Sequence, residues 1–344
     1  TTFDIDVSKA APENLSSSCP TPTEKPGGSE VVCPLNHRFI NTGDSGLDSS
    51  SNVNVAESRW NARTINYQGD KEFEKNLPQR AQTGTLPDVA YIPQPGLLKT
   101  MVDTGKAIPA SDSVIKLIDE NFGPDWKKYG TVDDTVYSAP LGANVKSYVW
   151  YSPKKFAEKG YTVPKTWDEL MTLTAKIAAD DAAAKPWCAG FGSGTATGWP
   201  GTDWVEDLVL RVADKDTYDK WVEHKIPFND PKIAEALGKA GAILKDPKYS
   251  NGGYGAPKTI ATTTFQDGGL PILSGKCYMH RQASFYGTMW PKGTNVAEDG
   301  DAWAFYLPSM NDTKPVLGGG EFVLTFRDAP EVKAFAAYLA SGDW

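Results

Sequence analysis

The stretch TINYQGDKEFEKNLPQRAQTGTLPDVAYIP, residues 64–93, contains the pattern that decides the fold. TINYQG has the composition of a β-strand, and PDVAYIP predicts a short buried strand. Between them, KEFEKNLPQRAQT predicts a helix that ends at Gly84. Strand, helix and strand in this order form a β-α-β unit, which predicts an α/β protein with a largely parallel sheet.

Further strands and helices alternate along the rest of the chain. We expect strand-bearing segments at SYVWYS (147–152), LPILSGKCYMH (270–280), AWAFYLP (302–308) and EFVLTF (321–326), and helices at PKTWDELMTLTAKIAADDA (164–182), WVEDLVLRVAD (204–214) and DPKIAEALGKAGAIL (230–244). Thr166 and Glu169 have the spacing of a capping box. Because a single hydrophobic core seldom grows beyond roughly 250–300 residues, the 344 residues predict two lobes.

Composition excludes several classes of function. The formal net charge is -8 and there is no basic cluster, so we predict no nucleic-acid partner. No apolar run has the roughly 20 residues of a membrane span. The chain has no P-loop, no dinucleotide fingerprint and no nucleophile elbow, so we predict no cofactor.

The four cysteines predict disulfides rather than a metal site. Neither Cys19 and Cys33 nor Cys188 and Cys277 form a C-x-x-C motif, and the chain has only three histidines. We therefore predict the disulfides Cys19–Cys33 and Cys188–Cys277 in an oxidising compartment, and no metal. The alternative is four buried free thiols.

The stretch GWPGTDWVEDLVLR, residues 198–211, gathers aromatic rings and carboxylates at a Pro-Gly corner where a helix begins. In one interpretation Asp203 and Glu206 form a capping box and contact no ligand. In the other, Trp199 offers a flat face and Asp203 binds hydroxyl groups at the helix N-terminus. Both interpretations can hold together.

Two more segments carry candidate binding residues. In CYMHRQASFYGTMWP (277–291), Arg281 can hold a hydroxyl pair or a carboxylate such as Asp203, while His280 is expected to be structural. A Cys188–Cys277 bridge would bring this segment beside the tryptophan corner. In GGGEFVLTF (318–326), Glu321 lies at the mouth of a strand.

Several long motifs resemble the family 1 extracellular solute-binding proteins, the receptors of bacterial ABC sugar importers, and the α-glucoside type in particular. They are NYQGDKEFEKNLPQRAQTGTLPDVAYIPQPGLL (66–98), YSAPLGANVKSYVWYSPKKF (137–156), PWCAGFGSGTATGWPGTDWVEDLVLR (186–211), IPFNDP, CYMHRQASF and GGGEFVL. The resemblance runs from about Thr64 to the end of the chain.

The resemblance implies a two-lobed periplasmic-binding-protein-like fold of type II, with mixed sheets flanked by helices and a ligand cleft between the lobes. The N-terminal lobe would comprise residues 1–142 and 306–344, and the C-terminal lobe residues 143–305. It also implies a set of ligand-binding residues: Asp70, Lys71, Gln94, Asn144, Trp199, Asp203, Trp204, Arg281, Tyr286, Trp290 and Glu321. Trp204 is the member of this set that could instead turn inward.

Two segments depart from the family pattern. Residues 1–60 form a Cys-bracketed, Ser- and Asn-rich segment in place of the usual opening strand and cleft loop. The C-terminal helices of the family have no counterpart after Trp344. We therefore expect both ends of this chain to differ from the family.

The resemblance implies a monomeric receptor that binds an α-glucoside or small oligosaccharide and delivers it to ABC permease subunits. We expect a periplasmic or extracellular location, with lipid anchoring as one mode of attachment. The alternative is a glycosidase in which Asp203, Glu206 or Glu321 supply the acid and base, although nothing in the sequence sets two carboxyl groups at glycosidase spacing. A third hypothesis is a surface lectin with avidity for a polymer.

Overall fold

The computed structural model describes residues 37–41, 52–55, 63–70 and 72–344. Within them the chain forms two compact units. Unit 1 runs to Ala143 and resumes at Gly320–Trp344, and unit 2 is Asn144–Gly319.

The elements alternate as expected for an α/β protein. The strands are β1 (His37–Asn41), β2 (Asn52–Val55), β3 (Arg63–Gly69), β4 (Val89–Ile92), β5 (Thr131–Val132), β6 (Thr135–Val136), β7 (Ser138–Val145), β8 (Tyr148–Tyr151), β9 (Lys185–Trp187), β10 (Cys277–Arg281), β11 (Trp303–Tyr306) and β12 (Gly318–Thr325). The α-helices are α1 (Phe73–Thr83), α2 (Pro95–Asp103), α3 (Asp112–Asn121), α4 (Pro124–Tyr129), α5 (Pro153–Lys159), α6 (Trp167–Asp180), α7 (Trp199–Val212), α8 (Lys215–Val222), α9 (Pro231–Leu244) and α10 (Pro330–Leu339).

Local capping signals set one boundary of two helices at the positions that the sequence predicts. Helix α1 ends at Gly84, whose φ of 70° is the left-handed conformation that terminates a helix. Helix α6 begins with a complete capping box, in which Thr166 accepts from the backbone of Glu169 and the Glu169 side chain accepts in return. Each cap supplies partners for N–H or C=O groups that the helix cannot satisfy itself.

Unit 1 is built on a six-stranded sheet with the order β2-β3-β1-β4-β12-β7. Strands β3, β1 and β4 are parallel, whereas β2 and β12 run antiparallel to their neighbours β3 and β4. The sheet is therefore mixed, with the β-α-β unit of residues 64–93 at its centre. A pair of short strands, β5 and β6, forms a separate hairpin.

Both faces of the unit 1 sheet are covered. Ala90 and Ile92 of β4 join a cluster with α1 and α2, while Val89 joins a second cluster with α10. This division follows from the two-residue period of a strand. All four residues of β4 are buried, which agrees with the continuous apolar run VAYI at residues 89–92. Fully burying one such side chain stabilises the fold by roughly 1.5–3 kcal/mol.

Unit 2 contains a four-stranded sheet with the order β11-β8-β10-β9. Strand β8 lies antiparallel between β11 and β10, and β10 is parallel to β9. This arrangement differs from the largely parallel sheet that the β-α-β spacing predicts. The reason is that β8 pairs with strands more than a hundred residues away, whose direction no local pattern encodes.

Helices α6, α7 and α9 pack together in the main core of unit 2. Leu170 and Ile177 of α6, Leu208 of α7 and Ile233 of α9 belong to one buried cluster. Leu307 belongs to the same cluster, and its backbone N–H donates to the carbonyl of Ser147. Residues 306–319, which the sequence analysis assigns to the first lobe, therefore lie in unit 2.

Candidate functional site

Helix α7 begins earlier than the capping-box interpretation requires. Its N-cap is Gly198, with a φ of 112° that favours glycine, and Pro200 occupies the first turn. Proline is tolerated there because a first-turn N–H has no helical partner. Asp203 lies in the second turn, so the prediction of an Asp203–Glu206 capping box is wrong.

The two tryptophans of α7 have different environments. Trp204 is 1% exposed, and its ring centroid lies 5.3 Å from that of Trp187 in the core of unit 2. Trp199 is partly exposed, with its ring against Phe265 and Phe285 at centroid distances of 5.0 and 6.0 Å. Of the two, only Trp199 offers an aromatic surface to a ligand.

A line of alternating charges runs inward from Lys146. Its Nζ lies 2.7 Å from Oδ1 of Asp203. Nη1 of Arg281 lies 3.8 Å from Oδ2 of Asp203. The side-chain exposure is 26% for Lys146, 2% for Asp203 and 0% for Arg281, so the line descends into the interior.

Asp207 is the most deeply buried carboxylate of this series of charged residues, and it holds Arg281 in place. Its Oδ2 accepts from Nη2 of Arg281 at 3.1 Å, and its Oδ1 accepts from Oγ of Ser147 at 2.7 Å and from Nη1 of Arg211. Arg211 also donates to the carbonyl of Leu307 at 2.7 Å. Buried charges are costly unless they are paired and hydrogen-bonded, and Asp207 has both kinds of partner.

Three polar atoms between Lys146 and Asp207 have no hydrogen-bond partner among the described residues. Oδ2 of Asp203 and Nε and Nη1 of Arg281 are buried without a hydrogen bond to any group in the described part of the chain. The Arg281 guanidinium is further restrained by the Trp204 ring, whose centroid is 5.9 Å away. The Asp203–Arg281 contact is thus an ion pair without a direct hydrogen bond.

Glu206 is the third carboxylate of the α7 corner. Its Oε2 accepts from the hydroxyl of Tyr218 at 2.9 Å. Burial, followed by the nearby Asp203 carboxylate, raises the pKa of Glu206, while Lys146, Tyr218 and Arg281 oppose the shift.

Asn144 contacts the segment that follows β10. Its Oδ1 accepts from Oγ of Ser284 at 3.3 Å, and that Oγ accepts from the backbone N–H of Val145 at 3.1 Å. Ser284 is adjacent to Phe285, which contacts Trp199. The structure therefore brings Asn144, Trp199, Asp203 and Arg281 into one region of unit 2.

Two other residues of the predicted ligand-binding set, Tyr286 and Trp290, belong to a buried cluster instead. Tyr286 is 0% and Trp290 is 7% exposed, and their ring centroids lie 5.1 Å apart. The Tyr286 hydroxyl donates to the carbonyl of Gln266 at 2.6 Å and accepts from the N–H of Gly269 at 2.9 Å. Neither ring presents a face to solvent.

His280 occupies a structural position in β10. Its Nδ1 lies 2.9 Å from the carbonyl of Cys188, so Nδ1 carries the proton and donates. Burial lowers the pKa of His280 to about 4. The Cys188–Cys277 disulfide predicted from the sequence is confirmed, whereas Cys19 and Cys33 lie outside the described residues.

Unit 1 places its predicted residues at one end of its sheet. Asp70 follows β3, and its carboxylate accepts from the side chain of Asn76 at 3.1 Å. Gln94 follows β4 and donates to Glu74. In the antiparallel register Phe322 pairs with Ile92, which places Glu321 at the same end. Lys71 lies outside the described residues.

This end of the sheet is where ligands bind in open α/β sheets, outside the carboxyl ends of the parallel strands. Asp70, Gln94 and Glu321 are all partly exposed there. Among the described residues, no group of His, Cys, Asp or Glu has an arrangement suited to a metal ion. The helices of those residues also lack the length and apolar character of a membrane span.

Both units are α/β, with mixed sheets and helices packed against them. Residues 61–343 match the family model described as bacterial extracellular solute-binding protein, and the chain belongs to this family.

Curated relatives carry more specific descriptions. The chain is 41% identical over 288 residues to the alpha-glucosides-binding periplasmic protein AglE of Rhizobium meliloti, covering 80% of this chain and 61% of the relative. It is 39% identical over 280 residues to the osmoprotective compounds-binding protein GgtB of Synechocystis sp., covering 80% and 65%. The chain thus spans less than two thirds of the length of either relative.

Solved structures agree on the fold. The bacterial solute receptor AcbH, described as having an exclusive preference for β-D-galactopyranose, superposes with a TM-score of 0.70. The alignment has 19% sequence identity and covers 90% of this chain and 76% of AcbH. At this identity the similarity establishes the fold and not the ligand.

Proposed function

We propose that this chain is the ligand-binding part of a carbohydrate receptor for an ABC importer, located in the periplasm or outside the cell. The observation that carries the proposal is the grouping of a partly exposed aromatic face, Trp199, with the charged pair Lys146–Asp203 in unit 2. Sugars present apolar ring faces and a rim of hydroxyls, and such a surface matches both.

The proposed ligand is an α-glucoside or a small oligosaccharide containing one. The description of AglE and its 41% identity support this class. In unit 2 the site comprises Asn144, Lys146, Trp199 and Asp203, with Arg281 behind them. In unit 1, Asp70, Gln94 and Glu321 are the candidate residues. The receptor is monomeric and delivers its ligand to permease subunits, and lipid anchoring is one mode of attachment.

The glycosidase alternative is less consistent with the charge pairing. A glycosidase needs two carboxyl groups on either side of the scissile bond. Of the carboxylates named for this role, Asp203 is 2% exposed and paired with Lys146, so it is not available as an exposed acid or base. Glu206 accepts a hydrogen bond from the Tyr218 hydroxyl and lies three residues further along the same helix.

Calorimetry with maltose, sucrose and trehalose tests the proposal, followed by chromatography of each sugar after prolonged incubation. We expect at least one of these sugars to bind and to be recovered chemically unchanged after incubation. Galactose, which is not a glucoside, is the comparison ligand. Release of glucose would support the enzyme, and avid binding of a polymer with weak binding of every disaccharide would support the lectin. Absence of binding to all of them would contradict the proposed function.

A further inference from the structure

We propose that Lys146 is a ligand-contacting residue, oriented by Asp203, with Arg281 and Asp207 as positioning residues behind it. The inference rests on the proposed function and distinguishes the residue that contacts the ligand from the residues that position it. It changes the role expected for Arg281, from a direct ligand contact to a support.

Exposure decides which residue meets the ligand. Lys146 has 26% of its side chain exposed, whereas Asp203 has 2% and both Arg281 and Asp207 have 0%. A sugar hydroxyl can therefore approach the ammonium, but it cannot approach the guanidinium without rearrangement of the protein.

The ammonium retains hydrogen-bonding capacity for a ligand. A lysine ammonium has three N–H donors. The 2.7 Å contact with Asp203 uses one of them. The remaining donors suit hydroxyl, ring and glycosidic oxygens of a sugar, and a charged donor strengthens each of these hydrogen bonds.

The buried residues restrict where the ammonium lies. A lysine side chain is flexible and loses considerable rotamer entropy when it is fixed. Asp203 fixes Lys146, and Arg281 faces the other carboxylate oxygen of Asp203 at 3.8 Å. Asp207 holds Arg281 at 3.1 Å, and its own position is set by Ser147 and Arg211. Each group thus limits the position of the next, so the binding donor is preorganised.

The backbone also guides Lys146. A Cβ placed on Gly319 would lie 2.5 Å from Cε of Lys146, so the lysine stem passes directly over this glycine. The stem is thereby directed along the Gly319 backbone toward Asp203.

Substitution of Lys146 tests the direct contact. K146M keeps the length of the stem and removes the donor, and it should weaken binding of maltose or trehalose by about 10- to 100-fold, whereas K146R should retain most of the affinity. The matched control is K154M, because Lys154 is also paired with an aspartate, Asp301, and its side chain is 52% exposed. Unchanged affinity in K146M, or an equal loss in K154M, would overturn the proposal.

A double-mutant cycle tests the positioning role. D207N should lower sugar affinity in the wild-type background and have little further effect in the K146M background, because its influence passes through Lys146. A purely structural role would lower affinity equally in both backgrounds, and that result would overturn the proposal. If D207N fails to fold, R281K provides the same comparison.

A measurement without sugar separates this inference from the proposed function. The ¹⁵N resonance of the Lys146 ammonium, assigned from its loss in K146R, should shift in D207N and remain in place in K154M. If wild type binds no sugar and this shift occurs, the proposed function fails while the positioning of Lys146 stands. If the resonance is unaffected by D207N, the positioning role is wrong whatever the chain binds.

Discussion

Lys146 and Asp203 form an ion pair with 2.7 Å between Nζ and Oδ1, and this pair joins the segment before β8 to the second turn of α7. The two residues are 57 positions apart in sequence. Asp203 in turn faces Arg281 at the end of β10. The geometry of the candidate site therefore depends on packing between elements rather than on any single motif.

The first prediction concerns the glycine beneath Lys146. G319A should displace the lysine stem, because the new Cβ would lie 2.5 Å from Lys146 Cε. We expect sugar affinity to fall about tenfold in calorimetry, a loss of about 1.4 kcal/mol. G318A is the matched control, since a Cβ at Gly318 meets no atom within 4 Å. Equal affinities for the two variants would contradict the predicted path of Lys146.

The second prediction concerns the disulfide in unit 2. Cys188 follows β9 and Cys277 begins β10, with a sequence separation of 89 residues. Closing a loop of this length restricts the unfolded chain, so C188A/C277A should lower the free energy of unfolding by about 3–5 kcal/mol. Urea denaturation of the double variant measures this change, and reduction of the wild-type protein should have a similar effect. A loss below about 1 kcal/mol would mean that the bridge contributes little to stability.

The third prediction concerns pH and His280. Because burial lowers the folded-state pKa from 6.5 to about 4, the unfolded chain takes up the proton first as pH falls. The stabilising contribution is complete above pH 6.5 and is lost as pH falls toward about 4, by roughly 3 kcal/mol. H280N keeps an N–H donor for the Cys188 carbonyl and removes the titration.

Urea denaturation at several pH values between about 4 and 6.5 measures how the free energy of unfolding of each protein changes with pH. The wild-type protein should lose more stability on acidification than H280N does. Identical slopes for the two would contradict the assignment of a neutral, buried His280.

Local signals explain how much of the fold the sequence predicts. The Gly84 stop and the Thr166–Glu169 capping box act within a few residues, and both are confirmed. The sequence misplaces the start of α7 because Asp203 and Glu206 have capping-box spacing, although Pro200 lies in the actual first turn.

The site residues that the sequence does not identify are those defined by contacts between distant parts of the chain. The prediction of Trp199 and Asp203 rested on their position at a helix start and on the family resemblance. No local pattern in the sequence indicates Lys146 or Asp207 as site residues, since an isolated lysine usually lies on a solvated surface. The i, i+4 spacing of Asp203 and Asp207 places both on one side of α7 but does not indicate that Arg281 lies between them.

Sugar binding by tryptophan variants tests the central claim most directly. Trp199 contacts Phe265 and Phe285 at the candidate site, whereas Trp303 is a 36% exposed tryptophan of unit 2 paired with Tyr151 at the other end of β8. Calorimetric titration of the α-glucoside that binds wild type should give at least a roughly tenfold weaker affinity for W199A and an unchanged affinity for W303A. Wild-type affinity in W199A, or an equal loss in both variants, would contradict a carbohydrate site at the start of α7.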